Sequence, residues 1–179
     1  MIRSMNLEPG ALAPHFTLLG LDGREYSLPR DRGDEPLLLA FFRVKCATCD
    51  VAYPYLNRLK DSYTGGWQLW SVCQDNPERA AQYAERFALA HPVLLDGAEL
   101  EVSRLYDPPS TPALYLIGRD GRIEFTSEGF AKDDLNEIGR RIASLAGAKA
   151  VEIAAADDGN PSLKPGCMAR QRMPRRPSA

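Results

Sequence analysis

The sequence predicts a layered α/β domain, and three observations lead to this fold class. Segments with strand-like and helix-like periodicity alternate along most of the chain, as in sheets covered by helices. The stretch "PLLLAFFRV" is a nearly continuous apolar run, which is typical of a strand buried on both faces. The stretch "HFTLLGLDGREYSLP" places Asp22 and Gly23 between two apolar runs and therefore predicts an opening β-hairpin.

The segments after the apolar strand continue the alternation. From Cys49 to about Tyr63 apolar residues recur at helical spacing, and Pro54 is expected to kink this helix. "WQLWSVC" predicts a second strand, and Asn76 followed by Pro77 predicts the N-cap and first turn of a second helix. This order indicates parallel strands joined by right-handed crossovers.

The second half of the domain contains shorter elements. "HPVLLD" predicts a third strand and "AELEVSRLYD" a short helix. "PALYLIG" and "RIEFTSEG" predict a hairpin that turns at Asp120 and Gly121, and "KDDLNEIGRRIASLAG" predicts a closing helix with acidic residues in its first turn. The pattern ends near Gly147, so residues 1–147 are predicted to form one domain.

Residues 148–179 have a different composition, rich in proline, alanine and serine. Late in this segment the charged residues are basic, namely Lys164, Arg170, Arg172, Arg175 and Arg176. No helical or strand period is visible after Gly147. We therefore expect a flexible, basic C-terminal tail.

Composition and charge exclude several classes of protein. The chain has 179 residues, of which 44% are hydrophobic and 26% charged, and its formal net charge is −2. This balance argues against disorder and gives no overall field that would attract nucleic acid or anionic lipid. No apolar run approaches the roughly 20 residues of a membrane-spanning helix, and no secretory signal is visible. We therefore expect no nucleic-acid or membrane partner and a cytoplasmic location, where structural disulfides are rare.

The motif "CATC" lies where the apolar strand gives way to a helix. This placement puts Cys46 at the helix N-terminus, where unpaired N–H groups and the helix dipole stabilise a thiolate. Lys45 and Arg43 add positive charge nearby. Cys49 lies one helical turn further on the same face, within reach of Cys46. The pair thus fits an attacking thiolate at Cys46 and a shielded resolving thiol at Cys49.

Two other interpretations of the motif stay open on the residues alone. A zinc site needs two further ligands, and the candidates are isolated in sequence: His15, His91, Cys73 and Cys167. A buried structural pair is the second alternative, since free cysteines often pack as small hydrophobic residues. The strand–Cys-x-x-Cys–helix context favours redox chemistry over both.

Several motifs in order resemble the thioredoxin-like redoxins, that is, the AhpC/TSA peroxiredoxins and the TlpA-like thiol–disulfide oxidoreductases. These motifs are "PGALAPHFTLLGLDGREYSL", the strand before "CATC", Pro54, "SVCQDNPERAAQYAERFALAHPVLLD" and "STPALYLIGRDGRI". The resemblance implies a thioredoxin fold, in which helices flank a central mixed β-sheet, with an added N-terminal β-hairpin. It implies Cys46 as nucleophile, Cys49 as resolving cysteine and Pro112 as a cis-proline facing the disulfide. The backbone beside that proline, at Thr111, would hold a substrate chain by main-chain hydrogen bonds.

The chain also departs from these families. Thioredoxins have tryptophan where this chain has Lys45, and a buried acid where it has Ala40; TlpA-like reductases often have glutamate where it has Ala52. No obvious base for Cys49 remains, with Asp50 the nearest acid. Peroxiredoxins show Pro-x-x-x-Thr-x-x-Cys; aligned on Cys49, the proline place holds Phe42 and the threonine place holds Cys46.

The sequence therefore predicts a thiol–disulfide oxidoreductase that needs no metal or organic cofactor. Its partners would be a protein or small-molecule disulfide and an electron-donating reductant; the oligomeric state is not predicted. A thiol peroxidase and a redox-inert thioredoxin-fold binding module are the alternatives, because any accessible low-pKa thiolate reacts with peroxide and the fold can hold a peptide without redox chemistry. Cys167 is a candidate third redox cysteine that a flexible arm carries to the site.

Overall fold

A computed structural model describes residues 7–174. Its elements, in chain order, are β1 (Phe16–Leu19), β2 (Glu25–Leu28), β3 (Leu37–Phe42), α1 (Ala47–Ser62), β4 (Gln68–Cys73), α2 (Pro77–Arg86), β5 (Val93–Leu95), α3 (Glu101–Tyr106), β6 (Ser110–Thr111), β7 (Ala113–Ile117), β8 (Ile123–Glu128), β9 (Phe130–Ala131), α4 (Lys132–Ala146), β10 (Leu163–Lys164) and β11 (Cys167–Met168), followed by a 3-10 turn at Arg170–Arg172.

A five-stranded mixed sheet forms the centre of the molecule, in the spatial order β5–β4–β3–β7–β8. β3 and β4 are parallel, as are β4 and β5, while β7 is antiparallel to both β3 and β8. The opening hairpin β1–β2 forms as predicted, with Phe16 opposite Leu28. The predicted strands, helices and closing hairpin are all present at the expected places in the chain.

β3 is the central strand of the sheet, and this position explains why its sequence is apolar throughout. All six of its residues are fully buried. Leu38, Ala40 and Phe42 belong to a core with α1, α2 and α4, whereas the intervening residues pack on the other face with α3 and the hairpin. Each buried leucine or phenylalanine contributes about 1.5–3 kcal/mol relative to its exposed form, so this strand is firmly held where its end meets the cysteine motif.

The segment after Gly147 differs from the flexible tail that the sequence predicts. Ile153, Ala154 and Ala169 are buried. The Asn136 side chain accepts hydrogen bonds from the backbone N–H groups of Ile153 and Ala154 at 2.8 and 2.9 Å. The physical reason is that the segment is held by such contacts from distant side chains rather than by a helical or strand period of its own.

A buried lysine fixes the next part of the segment. Lys132 Nζ donates to the carbonyl oxygens of Ala155 and Ala156 at 2.7 and 3.2 Å and lies 2.6 Å from Asp158 Oδ1. Its hydrogen bond lowers the pKa of Asp158 to about 2. Two short strand pairs, β10 with β9 and β11 with β6, complete the packing.

Contacts of this kind continue to Arg172, whose Nη2 donates to Asp107 Oδ2 at 2.8 Å. Arg175 and Arg176 of the predicted basic tail lie outside the described residues. The boundary of the redoxin domain at residue 147 stays a prediction. Within residues 7–174, no helix is long and apolar enough to cross a membrane.

Candidate active site

Cys46 lies at the point where the central sheet meets the first helix. β3 ends at Phe42, and a short loop leads to Cys46, which is the N-cap of α1 and has an extended backbone with φ −144° and ψ 100°. Asp75 Oδ2, from the loop after β4, accepts the backbone N–H of Val44 at 2.8 Å and so fixes this loop. The Cys46 side chain therefore faces the unpaired N–H groups of the first helical turn, as the sequence predicts.

Several donors surround the Cys46 sulfur. The backbone N–H of Cys49 donates to Cys46 Sγ at 3.2 Å, and Thr111 Oγ1 lies 3.7 Å from it. When protonated, Cys46 Sγ donates to the Thr111 carbonyl oxygen at 3.2 Å. Ionisation gives up that one bond but strengthens the others, because a thiolate is a better acceptor than a thiol.

The pKa values of the two cysteines of the motif are shifted in opposite directions. A hydrogen bond from the Cys49 side chain lowers the pKa of Cys46 from 9.0 to about 5, with smaller contributions from Cys167, the Cys49 backbone N–H and Thr111, and against the effect of burial. Burial raises the pKa of Cys49 well above its ordinary value, and the neighbouring Cys46 raises it further. The arrangement thus holds one thiolate and one thiol at neutral pH.

Thr111 and Pro112 come together with the cysteine motif, as the resemblance implied. The Thr111–Pro112 peptide bond is cis, and Thr111 is fully buried beside Cys46. The Pro112 carbonyl oxygen accepts the backbone N–H of Gly129 at 2.8 Å, which ties this turn to the end of β8.

Three other residues that the sequence analysis singled out lie near Cys46 in the chain or in the fold. Lys45 is exposed, and the largest effects on the pKa of Cys46 come from other groups. Arg43 instead points to the C-terminal segment, where its Nη1 donates to the Met168 carbonyl oxygen at 2.6 Å. Cys167, in β11, lies directly opposite Thr111.

The remaining cysteine and the two histidines lie outside this cluster. Cys73 is fully buried, which raises its pKa to about 12. His91 is buried, its Nε2 lies 2.8 Å from Ser71 Oγ, and burial lowers its pKa to about 4. His15 is exposed. Across residues 7–174, no three His, Cys, Asp or Glu side chains are grouped so that they could hold a metal ion.

The comparison with known proteins decides the family. The sequence profile of the AhpC/TSA family matches residues 9–126. The chain belongs to the AhpC/TSA family. It is 30% identical over 131 residues to the thiol-disulfide oxidoreductase ResA of Geobacillus thermodenitrificans, which covers 72% of this chain and 74% of ResA. A second relative is Rv2521 of Mycobacterium tuberculosis, whose name includes the word peroxiredoxin. It is 30% identical over 97 residues, which cover 54% of this chain and 62% of Rv2521.

The solved structures give the same result. A crystal structure from Chlorobium tepidum, assigned as a thiol:disulfide interchange protein DsbE, superposes with a TM-score of 0.71 at 25% identity and covers 78% of this chain and 99% of its own. These similarities confirm the predicted thioredoxin-like fold with its added hairpin. Together with the cysteine pair, they also confirm the prediction of an oxidoreductase of the thiol–disulfide exchange type.

Sequence reasoning did not find the contacts that the C-terminal segment makes at the site. Thr48 Oγ1, in the first turn of α1 two residues after Cys46, donates to the Pro165 carbonyl oxygen at 2.6 Å. Gln74 is fully buried, and its Oε1 accepts the backbone N–H of Arg170 at 2.8 Å. No sequence signal marks such pairs, because the partners lie 117 and 96 residues apart in the chain.

Proposed function

We propose that the protein exchanges disulfides by a two-cysteine mechanism in which Cys46 is the nucleophile and Cys49 the resolving thiol. The Cys46 thiolate attacks one sulfur of a substrate disulfide, and the other substrate sulfur leaves as a thiolate. A mixed disulfide between Cys46 and the substrate results. The Cys49 thiolate then attacks Cys46 Sγ, so the second substrate sulfur leaves and the Cys46–Cys49 disulfide forms. Two electrons pass from the pair to the substrate.

The observation that carries this proposal is the position of Cys46 as the N-cap of α1, where its Sγ accepts the backbone N–H of Cys49 at 3.2 Å. With a pKa of about 5, this sulfur is ionised at neutral pH. The Cys49 side chain, one turn further along α1, supplies the principal hydrogen bond to the thiolate. An ionised sulfur beside a protonated one is the arrangement that the first attack requires.

Formation of the mixed disulfide would also activate Cys49. Besides burial, the pKa of Cys49 is raised by its hydrogen bond to Cys46 and by the charge of that group. Both effects disappear once the Cys46 sulfur is bonded to a substrate, since it then carries no charge. The pKa of Cys49 falls at the step that needs its thiolate. Asp50, the nearest acid in sequence, lies 3.4 Å from Arg86, with which it forms an ion pair.

Thr111 and Pro112 are proposed to hold the substrate chain beside Cys46. Thr111 ends β6 and Pro112 follows it; backbone pairing with β6, whose edge β11 occupies in this structure, would align a disulfide with the thiolate once β11 has moved aside. The substrate class is a protein or small-molecule disulfide, and an external thiol reductant would complete the cycle. The cytoplasm is the proposed compartment, in which the resting form would be the dithiol.

Reduction of glutathione disulfide and of a chromogenic aromatic disulfide tests the proposal. Cys46→Ser should abolish turnover. Cys49→Ser should still undergo the first attack, and mass spectrometry of a sample quenched early should identify the mixed disulfide on Cys46. Turnover that persists in Cys46→Ser would contradict the proposal, and so would a wild-type dithiol that forms no Cys46–Cys49 disulfide under mild oxidation, which would favour a redox-inert binding module.

A thiol peroxidase is the second candidate, favoured by the similarity to Rv2521 and by the ionised sulfur. The sequence argues against a peroxidase, because Phe42 and Cys46 stand at the positions where peroxiredoxins have proline and threonine. A side-by-side measurement of hydrogen peroxide and disulfide consumption separates the two activities. The disulfide rate should exceed the peroxide rate, and the reverse order would make peroxide the substrate.

A further inference from the structure

The C-terminal segment crosses the candidate active site as a short strap, here defined as residues 163–168. Its strand β11 pairs antiparallel with β6, so that Cys167 lies opposite Thr111 and Met168 opposite Ser110. The Thr111 hydroxyl lies 3.4 Å from the Cys167 carbonyl oxygen and 3.7 Å from Cys46 Sγ. One buried side chain therefore contacts both cysteines. The strap occupies the backbone edge that the proposed function assigns to the substrate.

Side chains next to Cys46 hold the strap on both sides of Cys167. Before Cys167, the Thr48 hydroxyl donates to the Pro165 carbonyl oxygen at 2.6 Å. After it, Arg43 donates to the Met168 carbonyl oxygen at 2.6 Å. The two anchors come from the loop before Cys46 and from the first turn of α1. Cys167 is thus fixed over the nucleophile rather than carried on a free arm.

Two glycines permit this close approach. A Cβ atom at Gly166 would lie 2.9 Å from the Thr111 carbonyl oxygen and 2.4 Å from Ser110 Oγ. At Gly129, which has φ +68°, a Cβ atom would lie 2.7 Å from the Lys164 carbonyl oxygen. Any side chain at Gly166 would therefore push the strap away from β6. This offers a way to displace the strap without changing a sulfur.

The three cysteine residues differ in their exposure to solvent. Cys46 is 2% exposed and Cys49 is fully buried, whereas Cys167 is half-buried. Cys167 also packs against the core cluster that contains the other two cysteines. A hydrogen bond from the Cys167 side chain contributes to the low pKa of Cys46. Of these three groups, Cys167 is the one that a reductant in solution reaches most readily.

We propose that Cys167 is a third redox cysteine, which the strap presents to Cys46 in the position of a substrate sulfur and which forms an internal Cys46–Cys167 disulfide. This inference rests on the proposed function, because it takes Cys46 as the sulfur that exchanges. Its role is to carry the oxidised state from the buried pair to an accessible sulfur.

The exchange balances without a further oxidant. Cys167 loses its proton to solvent, and its thiolate attacks Cys46 Sγ in the Cys46–Cys49 disulfide. The Cys46–Cys167 bond forms, the Cys46–Cys49 bond breaks, and Cys49 leaves with the electron pair and takes up a proton. An external dithiol then attacks Cys167 Sγ and releases Cys46 as a thiolate. The second thiol of that reductant frees Cys167, so that the reductant is oxidised and the pair is reduced. Cys46 suits the leaving role because a thiol of low pKa leaves faster.

Disulfide mapping of the full-length chain tests the proposal. Wild type and Cys49→Ser are equilibrated in a buffer of reduced and oxidised glutathione, alkylated, digested without reduction and analysed by mass spectrometry. Cys49→Ser should contain a Cys46–Cys167 disulfide within single chains. Cys46 bound only to glutathione, with Cys167 alkylated, would overturn the proposal. The wild-type map distinguishes a failure of this proposal from a failure of the proposed function. A Cys46–Cys49 disulfide in the wild type supports the proposed function whether or not Cys167 forms a disulfide.

Displacing the strap supplies the matched control. In the Cys49→Ser background, Gly166→Ala should slow formation of the Cys46–Cys167 disulfide, whereas Gly65→Ala, where a Cβ atom meets nothing within 4 Å, should leave it unchanged. Equal rates in both variants would overturn the role of the strap.

A kinetic measurement tests the relay itself. Cys167→Ser should slow reduction of the Cys46–Cys49 disulfide by submillimolar dithiothreitol roughly tenfold, since a tethered thiol acts at a local concentration of millimolar or more. The rate at which Cys46 of the same variant attacks glutathione disulfide is measured in parallel, and a similar fall in that rate would indicate that the substitution has damaged the active site as a whole. An unchanged rate of reduction by dithiothreitol would overturn the relay.

Discussion

Replacing Cys49 with alanine should raise the pKa of Cys46 by an amount that can be worked out from the site. The Cys49 side chain is the principal cause of the low pKa of about 5. A hydrogen bond to a charged group contributes about 1.5–3 kcal/mol, and one pKa unit corresponds to about 1.36 kcal/mol. The loss of this donor therefore predicts a rise of about 1–2 pKa units. The backbone N–H of Cys49, 3.2 Å from Cys46 Sγ, remains in the variant and limits the rise.

Cys49→Ser is the matched variant, because its hydroxyl group keeps a donor at the same place. The assay is the rate at which iodoacetamide alkylates Cys46 as a function of pH, read peptide by peptide so that Cys167 is followed separately. Serine should leave the pKa of Cys46 closer to the wild-type value than alanine does. Cys73→Ala, which changes a buried thiol outside the site, should leave it unchanged.

Two results would contradict the predicted rise in the pKa of Cys46. If Cys49→Ala titrates like the wild type, the Cys49 side chain does not stabilise the thiolate. If serine and alanine raise the pKa of Cys46 equally, the effect comes from a change in packing rather than from the hydrogen bond.

Three further predictions concern the neighbouring groups and stability. Thr111→Val removes a weaker donor 3.7 Å from Cys46 Sγ and should raise the pKa of that sulfur by up to about one unit in the same alkylation assay; no change would exclude the hydroxyl as a donor. In the folded protein the pKa of His91 is lowered from its ordinary value of 6.5 to about 4, so the unfolded state binds the proton more readily. The free energy of unfolding should therefore fall by up to about 3 kcal/mol as the pH drops from 6.5 to 4. Urea midpoints at the two pH values check this fall, and His91→Gln should flatten the dependence; an equally steep fall in the variant would assign it to another group. Lys132→Met leaves buried oxygens without their donor and should cost about 3 kcal/mol in urea unfolding, whereas exposed Lys149→Met should cost almost nothing; equal midpoints would show that the buried ammonium is not stabilising.

The elements that sequence reasoning predicted correctly are those that local chemistry determines. β3 is apolar at every position because both of its faces are covered, and that pattern is visible without a structure. Asn76 followed by Pro77 marks a helix start because each residue type suits its own position, and the Asn76 side chain accepts the N–H of Arg79 at 2.9 Å. The position of Cys46 at the start of α1 follows in the same way from the strand–cysteine–helix order, and its ionisation stays a prediction.

What sequence reasoning could not predict depends on pairs of distant residues. The C-terminal segment has no period of its own, so its composition resembles that of a flexible tail. Its order comes from Asn136, Lys132, Gln74 and Thr48, each of which satisfies backbone groups of the segment. Lys45 is a different case. Its charge lies one residue from Cys46, yet its side chain is exposed, and the donors that act on the sulfur come from elsewhere.

Direct titration of the Cys46 thiol is the most immediate test of the account. The ultraviolet absorbance of the thiolate is followed with pH in the reduced wild type, and the same titration of Cys46→Ser is subtracted. We expect a midpoint near 5, so that the sulfur is charged at neutral pH. A midpoint near 9.0, the ordinary value for a cysteine thiol, would contradict this expectation.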